Sequence, residues 1–334
     1  MSNDKYNRFK KIQLTSDQAN VATYQDPNLI AAWGMAILDD TVWIANYGLV
    51  SNYGLSGKLL YHVVLPTVSD NIVFGTGVII NDTTGFVVTN GTNTAASEIL
   101  VASSSGAIFG YNPLVDPTNA ITVIDKSADN AVYTGITILG KYLCATDYFN
   151  NRVDVFDLNF NQVYTLPFTD LEVLNPLPSN VAPYNIVNID EHAYVVYARQ
   201  PDETGAIPQS FQISYVSIFN KNGLFIKRFI NEHHNNSWAL IKLPKPCHKK
   251  SKNKFLLGNS NGTISIYNKY GEKIGCITNE TGCKMVIYGL KGLELCEHIY
   301  FTAAPLSGYD DNIIEAYHGL FGQLNRICHD KHKK

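Results

Sequence analysis

The feature that most constrains the fold is a short motif that occurs six times along the chain. In each copy an aromatic residue or threonine precedes glycine or another small residue, and a run of apolar residues follows. The small residues stand at positions 34, 77, 135, 185, 239 and 289, so successive copies lie 43 to 58 residues apart. Four-stranded sheets that repeat at this period are typical of a β-propeller, whose blades surround a central channel.

Residues 133–162 contain the clearest copy. Apolar and polar residues alternate over 133–139, 142–147 and 153–157, and turns rich in Gly, Asn and Asp separate these runs. A further run at 163–166 predicts a fourth strand. Alternation with period two predicts strands, and no segment keeps a helical period. In other copies, the glycines after Asn222 and Tyr270 supply the positive φ angle that a hairpin turn requires. We therefore predict an all-β fold.

The copies predict one six-bladed β-propeller over residues 9–328, with four-stranded antiparallel blades. Small residues suit the inner strands, because these strands converge near the axis, where large side chains would collide. The last copy lacks a strand, whereas residues 9–14 form a spare one. We expect this N-terminal strand to pair into the last blade and so remove an open sheet edge. Residues 1–8 are predicted to be a flexible N terminus and residues 329–334 a basic tail.

Composition argues against several classes of protein. A net charge of -3 over 334 residues gives no overall field that would attract nucleic acid or an anionic membrane. No apolar run reaches membrane-spanning length, and the first residues lack the apolar core of a signal peptide. We therefore expect a soluble protein of the cytoplasm or of a virion. The virion is included because the abundance of Asn, Lys, Ile and Tyr indicates an AT-rich genome, and such a genome can be that of a large DNA virus. The zinc-protease motif HExxH is absent.

The six cysteines form no CxxC pair. Cys144 lies within an apolar strand, where a free thiol behaves as a small hydrophobic group. Reduced cysteines are expected in a protein that is not exported, but a disulfide between Cys276 and Cys283 stays open as an alternative.

Several runs of residues together resemble a known family. They are Ser16-Asp17-Gln18 with Ala22, Asp26-Pro27-Asn28-Leu29-Ile30 with Trp33-Gly34, and the closing His318-Gly319-Leu320-Phe321-Gly322. The chain is similar to uncharacterised, mostly bacterial six-bladed propellers related to the NHL- and YVTN-repeat proteins. The resemblance implies the fold and the blade number, and this family carries no established activity to transfer. The chain departs from the family in lacking an export signal and in a longer loop before His318.

One mouth of the predicted channel collects the polar ends of the second strands. The loops from second to third strands and the loops entering each first strand share this mouth, and propeller ligands commonly bind there. Trp33 and Trp238 also stand at this entrance, although tryptophans are expected to pack between blades. The predicted binding residues are Asn46, Asp147, Asn151, Arg199, Asn259 and His318. The alternative is that the Asn and Asp side chains cap their own turns and that His318 holds the last turn.

A calcium site is a second possibility at the same mouth. Propeller lactonases bind calcium through rings of carboxylate and amide oxygens, the ligands this cation prefers. Asp147 would be an acid/base or a metal ligand, with Asp310, Asp311 and Glu315 as further ligands and His318 as a further catalytic candidate. Their spacing does not match an EF-hand loop, so a solvated loop is the competing interpretation.

The only basic patch runs from Lys245 to Lys254, between the first and second strands of the fifth copy. It would lie on the face opposite the predicted mouth. No aromatic residues alternate with the lysines, so a solvated insertion is favoured over a nucleic-acid site.

Taken together, the sequence favours a non-catalytic binding or interaction propeller, including a component of a virion. Its partner would be another protein or a small polar ligand at the channel mouth. The alternative is a calcium-dependent, lactonase- or lyase-like enzyme acting on a small polar or sugar-derived substrate.

Overall fold

The computed structural model describes residues 7–201, 214–232, 236–243, 253–306 and 317–327. The described chain is built from strands, with a single-turn 3-10 helix at Ser127–Asp129. None of its helices has the length and apolar character needed to cross a membrane.

Six sheets follow one another along the chain, as the repeat predicts. The N-terminal segment and blade 1 contain β1 (Phe9–Ser16), β2 (Tyr24–Gln25), β3 (Met35–Leu38), β4 (Thr41–Ala45), β5 (Leu49–Gly54) and β6 (Leu59–Val64). Blade 2 contains β7 (Gly75–Ile80), β10 (Ile99–Ser103), β11 (Ala107–Tyr111) and β12 (Ile121–Asp125), with an inserted hairpin of β8 (Val87–Thr89) and β9 (Thr94–Ala96). Blade 3 contains β13 (Tyr133–Leu139), β14 (Tyr142–Asp147) and β15 (Arg152–Phe156).

The second half of the ring repeats this order. Blade 4 contains β16 (Val181–Ile189), β17 (His192–Arg199), β18 (Ser214–Phe219) and β19 (Phe225–Glu232). Blade 5 contains β20 (Ser237–Lys242), β21 (Phe255–Asn259), β22 (Ile264–Tyr267) and β23 (Lys273–Cys276). Blade 6 contains β24 (Leu290–Leu295), β25 (Ile299–Ala303) and β26 (Leu320–Arg326), completed by β1 from the N terminus. The prediction of an all-β, six-bladed propeller is confirmed.

The ring closes as the sequence predicts. Strand β1 pairs antiparallel with β26, from Phe9 opposite Arg326 to Ser16 opposite Leu320, and β2 adds to β1 in parallel. The N-terminal strand thus covers the outer edge of the last blade. A closed ring leaves only short, protected sheet edges.

Blade 3 departs from the prediction because its fourth strand is missing. Residues 163–166 form no strand; one isolated bridge joins Phe156 to Gln162, and the Val163 N–H donates to the Val155 carbonyl at 2.7 Å. The following segment is held by Asp170, whose carboxylate accepts hydrogen bonds from Arg228 at 2.8 and 2.9 Å. Tertiary anchoring on blade 4 therefore overrides the local strand propensity of 163–166.

Small residues on the inner strands are required by close approach between blades. A Cβ atom on Gly135 would lie 2.3 Å from the Asn185 side-chain oxygen of the next blade, and one on Gly77 would lie 2.9 Å from the Ile136 side chain. Large apolar side chains fill the wider spaces further out. Trp43 and Phe109 are fully buried between blades 1 and 2, and burial of such a side chain stabilises the fold by about 1.5–3 kcal/mol.

Two faces of the ring are distinguished below. The upper face carries the second-to-third-strand loops and the starts of the inner strands; the lower face carries the first-to-second and third-to-fourth loops. Cys276 and Cys283 are both free, so the alternative of a disulfide between them is wrong for this structure.

Candidate ligand cavity in the central channel

The main cavity lies at the lower end of the channel. It has a volume of about 680 Å³ and is bounded by inner-strand residues of blades 1, 2, 3, 4 and 6, among them Ile37, Ile79 and Ile138. Residues of the lower-face turns, such as Asp82 and Glu191, stand at its rim. The cavity therefore opens on the lower face, opposite to the mouth that the sequence analysis favoured.

A second, smaller chamber continues the cavity toward the upper face. Its volume is about 190 Å³, and it shares Ile79, Thr137 and Glu294 with the larger one. Its own lining includes Met35 and Trp238. The two chambers form one channel lined by apolar inner-strand side chains and by polar groups such as Thr137, Asn188 and Glu294.

Aromatic side chains close the upper end of this channel. The Trp238 indole N–H, on blade 5, donates to the Thr134 carbonyl of blade 3 at 2.7 Å. The same indole meets the Trp33 ring of blade 1 edge-on, at 6.3 Å between centroids. Tyr184 of blade 4 contacts Trp33 at 6.4 Å, and Tyr148 contacts Tyr184 at 4.8 Å. We call Trp33, Tyr148, Tyr184 and Trp238 the aromatic plug.

Three of the predicted binding residues are buried by hydrogen bonds within the protein. Asn46 donates to the Asn28 carbonyl at 3.0 Å and to the Ser51 hydroxyl at 3.2 Å. Asp147 accepts from the Val132 N–H at 3.1 Å and from the Asn150 amide at 2.7 Å, and the Arg152 guanidinium lies 3.4 Å away. These side chains are directed into the blades and not into the channel.

Asn259 is held in the same way at the end of β21. Its amide donates to the Thr263 carbonyl at 3.0 Å and to the Ser265 hydroxyl at 3.1 Å, and its oxygen accepts from the Ser237 hydroxyl at 2.8 Å. The competing interpretation, in which such side chains cap their own turns, describes this geometry. A ligand role for them stays a prediction that the geometry does not favour.

The remaining predicted residues lie apart from one another. Asn151 is exposed in a turn with a φ of 53°. The Arg199 guanidinium faces the Asn180 amide, whose oxygen can accept from two of its nitrogens at 3.0 Å. His318 contacts the Asp17 carboxylate through Nδ1 at 2.7 Å and the Gln18 amide through Nε2 at 2.9 Å. His318 therefore joins the last blade to the N-terminal strand.

The proposed calcium ligands Asp310, Asp311 and Glu315 lie outside the described residues. Within the described ranges, no three His, Cys, Asp or Glu side chains are grouped so that they could hold a metal ion. Most of the lysine insertion also falls outside the description; it is flanked by Leu243 and Asn253, and Lys254 lies at its end. The insertion begins and ends on the lower face, which is the face where the cavity opens, and not remote from it as expected.

A Ser-His-Asp cluster that sequence spacing did not reveal lies in blade 1. The Ser51 hydroxyl is 2.8 Å from His62 Nδ1, and His62 Nε2 is 3.5 Å from Asp26, which also accepts from the Tyr53 hydroxyl at 2.5 Å. Ser51 has no exposed surface, and it also accepts a hydrogen bond from Asn46. A buried hydroxyl in such a network cannot attack a substrate, so the cluster is structural.

The ionisable groups of the channel were also missed by sequence reasoning. Glu294 is half-buried and lines both chambers, and burial raises the pKa of its carboxyl to about 7, against an opposing hydrogen bond from the Leu295 N–H. Lys291, on the same strand, lies with Nζ 3.9 Å from the centroid of the Trp33 ring, and burial lowers its pKa to about 8. The sequence signal for these groups is the pair of charged residues Lys291 and Glu294, which directly follow the sixth copy of the inner-strand motif at Gly289.

The aromatic plug allows a matched pair of substitutions. We expect Trp238→Phe to lower the free energy of unfolding by about 1 kcal/mol, because it removes the hydrogen bond to Thr134 while keeping an aromatic ring. Trp33→Phe is the control, because the Trp33 indole nitrogen is buried without a hydrogen-bond partner. Urea unfolding measures both. Equal losses for the two variants would contradict the assigned role of the Trp238 hydrogen bond.

Comparison with known proteins gives relatives in sequence and in fold. No family model matches the chain. "Uncharacterized protein R648" of Acanthamoeba polyphaga mimivirus is 34% identical over 329 residues, covering 95% of this chain and 80% of the relative. "Uncharacterized protein L690" of the same virus is 34% identical over 315 residues, covering 89% of this chain and 82% of the relative. These relatives are viral, so the expected bacterial character of the family is not confirmed.

A solved structure shares the architecture. A protein of unknown function from Bacteroides thetaiotaomicron superposes with a TM-score of 0.55 at 11% identity, covering 95% of this chain and 73% of that one. At this level of identity the similarity concerns the fold alone. It agrees with the propeller described above and carries no information on a ligand.

Proposed function

This chain belongs to the family of giant-virus proteins that includes R648 and L690 of mimivirus, and we propose that it is a binding propeller and not an enzyme. Its ligand is a small molecule that enters the central channel from the lower face. The observation that carries this proposal is a channel whose larger chamber, of about 680 Å³, opens on the lower face and whose upper end is closed by the aromatic plug. A largely preformed cavity of this size, with a few polar groups directed into it, is typical of a ligand site.

The ionisable groups support binding over catalysis. An enzyme of the lactonase or lyase type needs an acid and a base within hydrogen-bond reach of the substrate. Two His–Asp pairs occur in the described chain, His318 with Asp17 and His62 with Asp26. Both nitrogens of each ring already face protein partners. Neither pair lines the channel.

A screen of small molecules tests the channel. Amines, carboxylic acids, sugars and neutral compounds are added to the protein, and binding is measured by thermal shift and then by crystallography. Ligand density is expected between the lower rim and Trp238. The variant Ile79→Trp, which fills the channel, should abolish binding, whereas Ile72→Trp, at a site that is 53% exposed and outside the cavity, should not. Ligands that bind Ile79→Trp as well as the wild type would overturn the proposal.

The calcium-dependent alternative has its own measurement. Under the binding proposal, adding calcium after treatment with a chelator is expected to leave the melting temperature unchanged, because the Asp147 carboxylate is already occupied by Val132, Asn150 and Arg152. The control is Asp147→Asn under the same conditions. A calcium-dependent rise that this substitution removes would contradict the binding proposal and favour the enzyme.

We also propose that the protein is a component of the virus particle, and the giant-virus origin of its relatives supports this. In that setting a protein partner would occupy the outer faces of the ring while the channel holds the ligand. Mass spectrometry of gradient-purified particles should detect the protein at a constant ratio to the capsid protein. Its loss during purification would remove the virion part and leave the channel proposal intact.

A further inference from the structure

Glu294 is the acidic group inside the channel. Its carboxyl belongs to β24 and lines both chambers. Within the described chain it has no ion pair, and the only hydrogen bond that acts on its pKa comes from the Leu295 N–H. A half-buried carboxylate with so few partners is destabilised, because water is partly removed and little replaces it.

Acidic side chains outnumber basic ones along the described lining of the larger chamber. Among those residues Asp82, Glu191 and Glu294 are acidic and Lys221 is basic, and Asp82 and Glu191 are exposed at the lower rim. An excess of one charge sign among lining residues attracts ligands of the opposite sign. Lys291 does not supply the missing cation, because its ammonium group lies against the Trp33 ring in the aromatic plug and lines neither chamber.

The upper end of the channel can hold the uncharged, apolar part of a positively charged ligand. Trp238 lines the smaller chamber, together with apolar side chains such as Ile136 and Met35. Aliphatic groups pack favourably on these surfaces, and an indole ring also attracts a cation placed over its face. The Thr137 hydroxyl accepts from the Asn188 backbone N–H at 3.1 Å, and the Asn188 side-chain amide donates to the Ile138 carbonyl at 2.9 Å. Glu294 is the charged side chain that lines both chambers.

We propose that the channel ligand is an organic cation, an alkylamine or alkylammonium compound whose charge pairs with Glu294 and whose apolar part packs against Ile79, Ile136 and Trp238. This inference rests on the proposed function, because it specifies the ligand class of the same cavity.

Three probes of similar size and different charge test the ligand class. They are hexylammonium, hexan-1-ol and hexanoate, and their binding is measured by isothermal titration calorimetry at pH 8, where Glu294 is largely ionised. Hexylammonium is expected to bind at least tenfold more tightly than hexan-1-ol, and hexanoate is expected not to bind. Emission of Trp238 should change on binding, and this response should disappear in Trp238→Phe.

Substitution of the carboxyl identifies its role. Glu294→Gln should weaken hexylammonium binding at least tenfold, whereas Glu297→Gln, an exposed acid outside both chambers, should have no effect. Glu294→Lys should reverse the preference, so that hexanoate binds and hexylammonium does not. This second variant keeps the test decisive if the glutamine variant folds poorly.

The failure of this inference differs from the failure of the proposed function. Equal binding of the alcohol and the amine, or amine binding unchanged in both Glu294 variants, would overturn the cation while leaving a ligand-binding channel. The same holds if the earlier screen finds only sugars or acids in the channel. If that screen finds no channel ligand of any class, the proposed function fails and this inference fails with it.

Discussion

Replacing Gly319 with alanine is expected to lower the free energy of unfolding by about 3 kcal/mol, at the upper end of the usual cost of overpacking. A Cβ atom on Gly319 would lie 1.6 Å from the Leu29 carbonyl oxygen and 2.6 Å from its carbon, far inside any allowed contact. Leu29 is fully buried, so its backbone cannot move aside into solvent. The strain falls at the seam where the two ends of the chain close the ring.

The seam has further contacts that the substitution would disturb. The Gly319 N–H donates to the Asp17 carboxylate at 3.0 Å, and the Asp17 N–H donates to the Gly319 carbonyl at 3.3 Å. Hydrogen exchange should therefore show faster exchange in β1 and β26 than in blade 3. Gly54→Ala is the matched control, since a Cβ atom there meets nothing closer than 3.9 Å. A stability loss as large in Gly54→Ala as in Gly319→Ala would refute the close-contact explanation.

Arg228→Met is expected to cost about 3–5 kcal/mol, because it leaves the Asp170 carboxylate buried without its counter-ion. Both side chains are only 4% exposed, and the guanidinium donates two hydrogen bonds to the carboxylate. The guanidinium also lies over the Tyr215 ring, 4.7 Å from its centroid. This ion pair ties the segment after blade 3 to the outer strands of blade 4.

Two comparisons separate the buried charge from general damage. Removing both partners in Arg228→Met/Asp170→Leu should recover much of the loss, because no charge is then left unpaired. Lys242→Met breaks the ion pair with Asp190, which is 70% exposed, and should cost less than about 1 kcal/mol. Urea unfolding at pH 7 measures all three variants. A double variant as unstable as Arg228→Met would show that lost packing, and not the uncompensated charge, causes the effect.

Lowering the pH should reduce the difference in unfolding free energy between Arg228→Met and the wild type. Burial alone would raise the pKa of the Asp170 carboxyl, but hydrogen bonds from Arg228 and Ser217 outweigh burial and hold that pKa below its usual value. A carboxyl with a lowered folded-state pKa stabilises the protein above its unfolded pKa of about 4, and this stabilisation is lost as the pH falls through the folded-state pKa. The stability difference should therefore be largest above about pH 5. A difference that grows below pH 4 would contradict the assignment.

The fold could be predicted because its signals are local. The repeated motif, the alternation along the strands and the spare strand at residues 9–14 can all be read within short windows of sequence, and the six blades and the closure that they predict are confirmed. The missing fourth strand of blade 3 was not predicted. Its cause is the pair of Asp170 and Arg228, which are 58 residues apart in sequence and meet only through the packing of blade 3 on blade 4.

The sequence by itself therefore determined the blade number, the strand order and the closure of the ring, because strand period and turn composition are properties of neighbouring residues. Only the tertiary structure decided which end of the channel is open. That depends on the Trp238 indole reaching a carbonyl of blade 3 and a ring of blade 1. Burial by distant strands also decided that Asp147 is enclosed in its own blade while Glu294 faces a cavity. Distances across a closed ring depend on the placement of all six blades, and residue spacing within any one blade does not contain them.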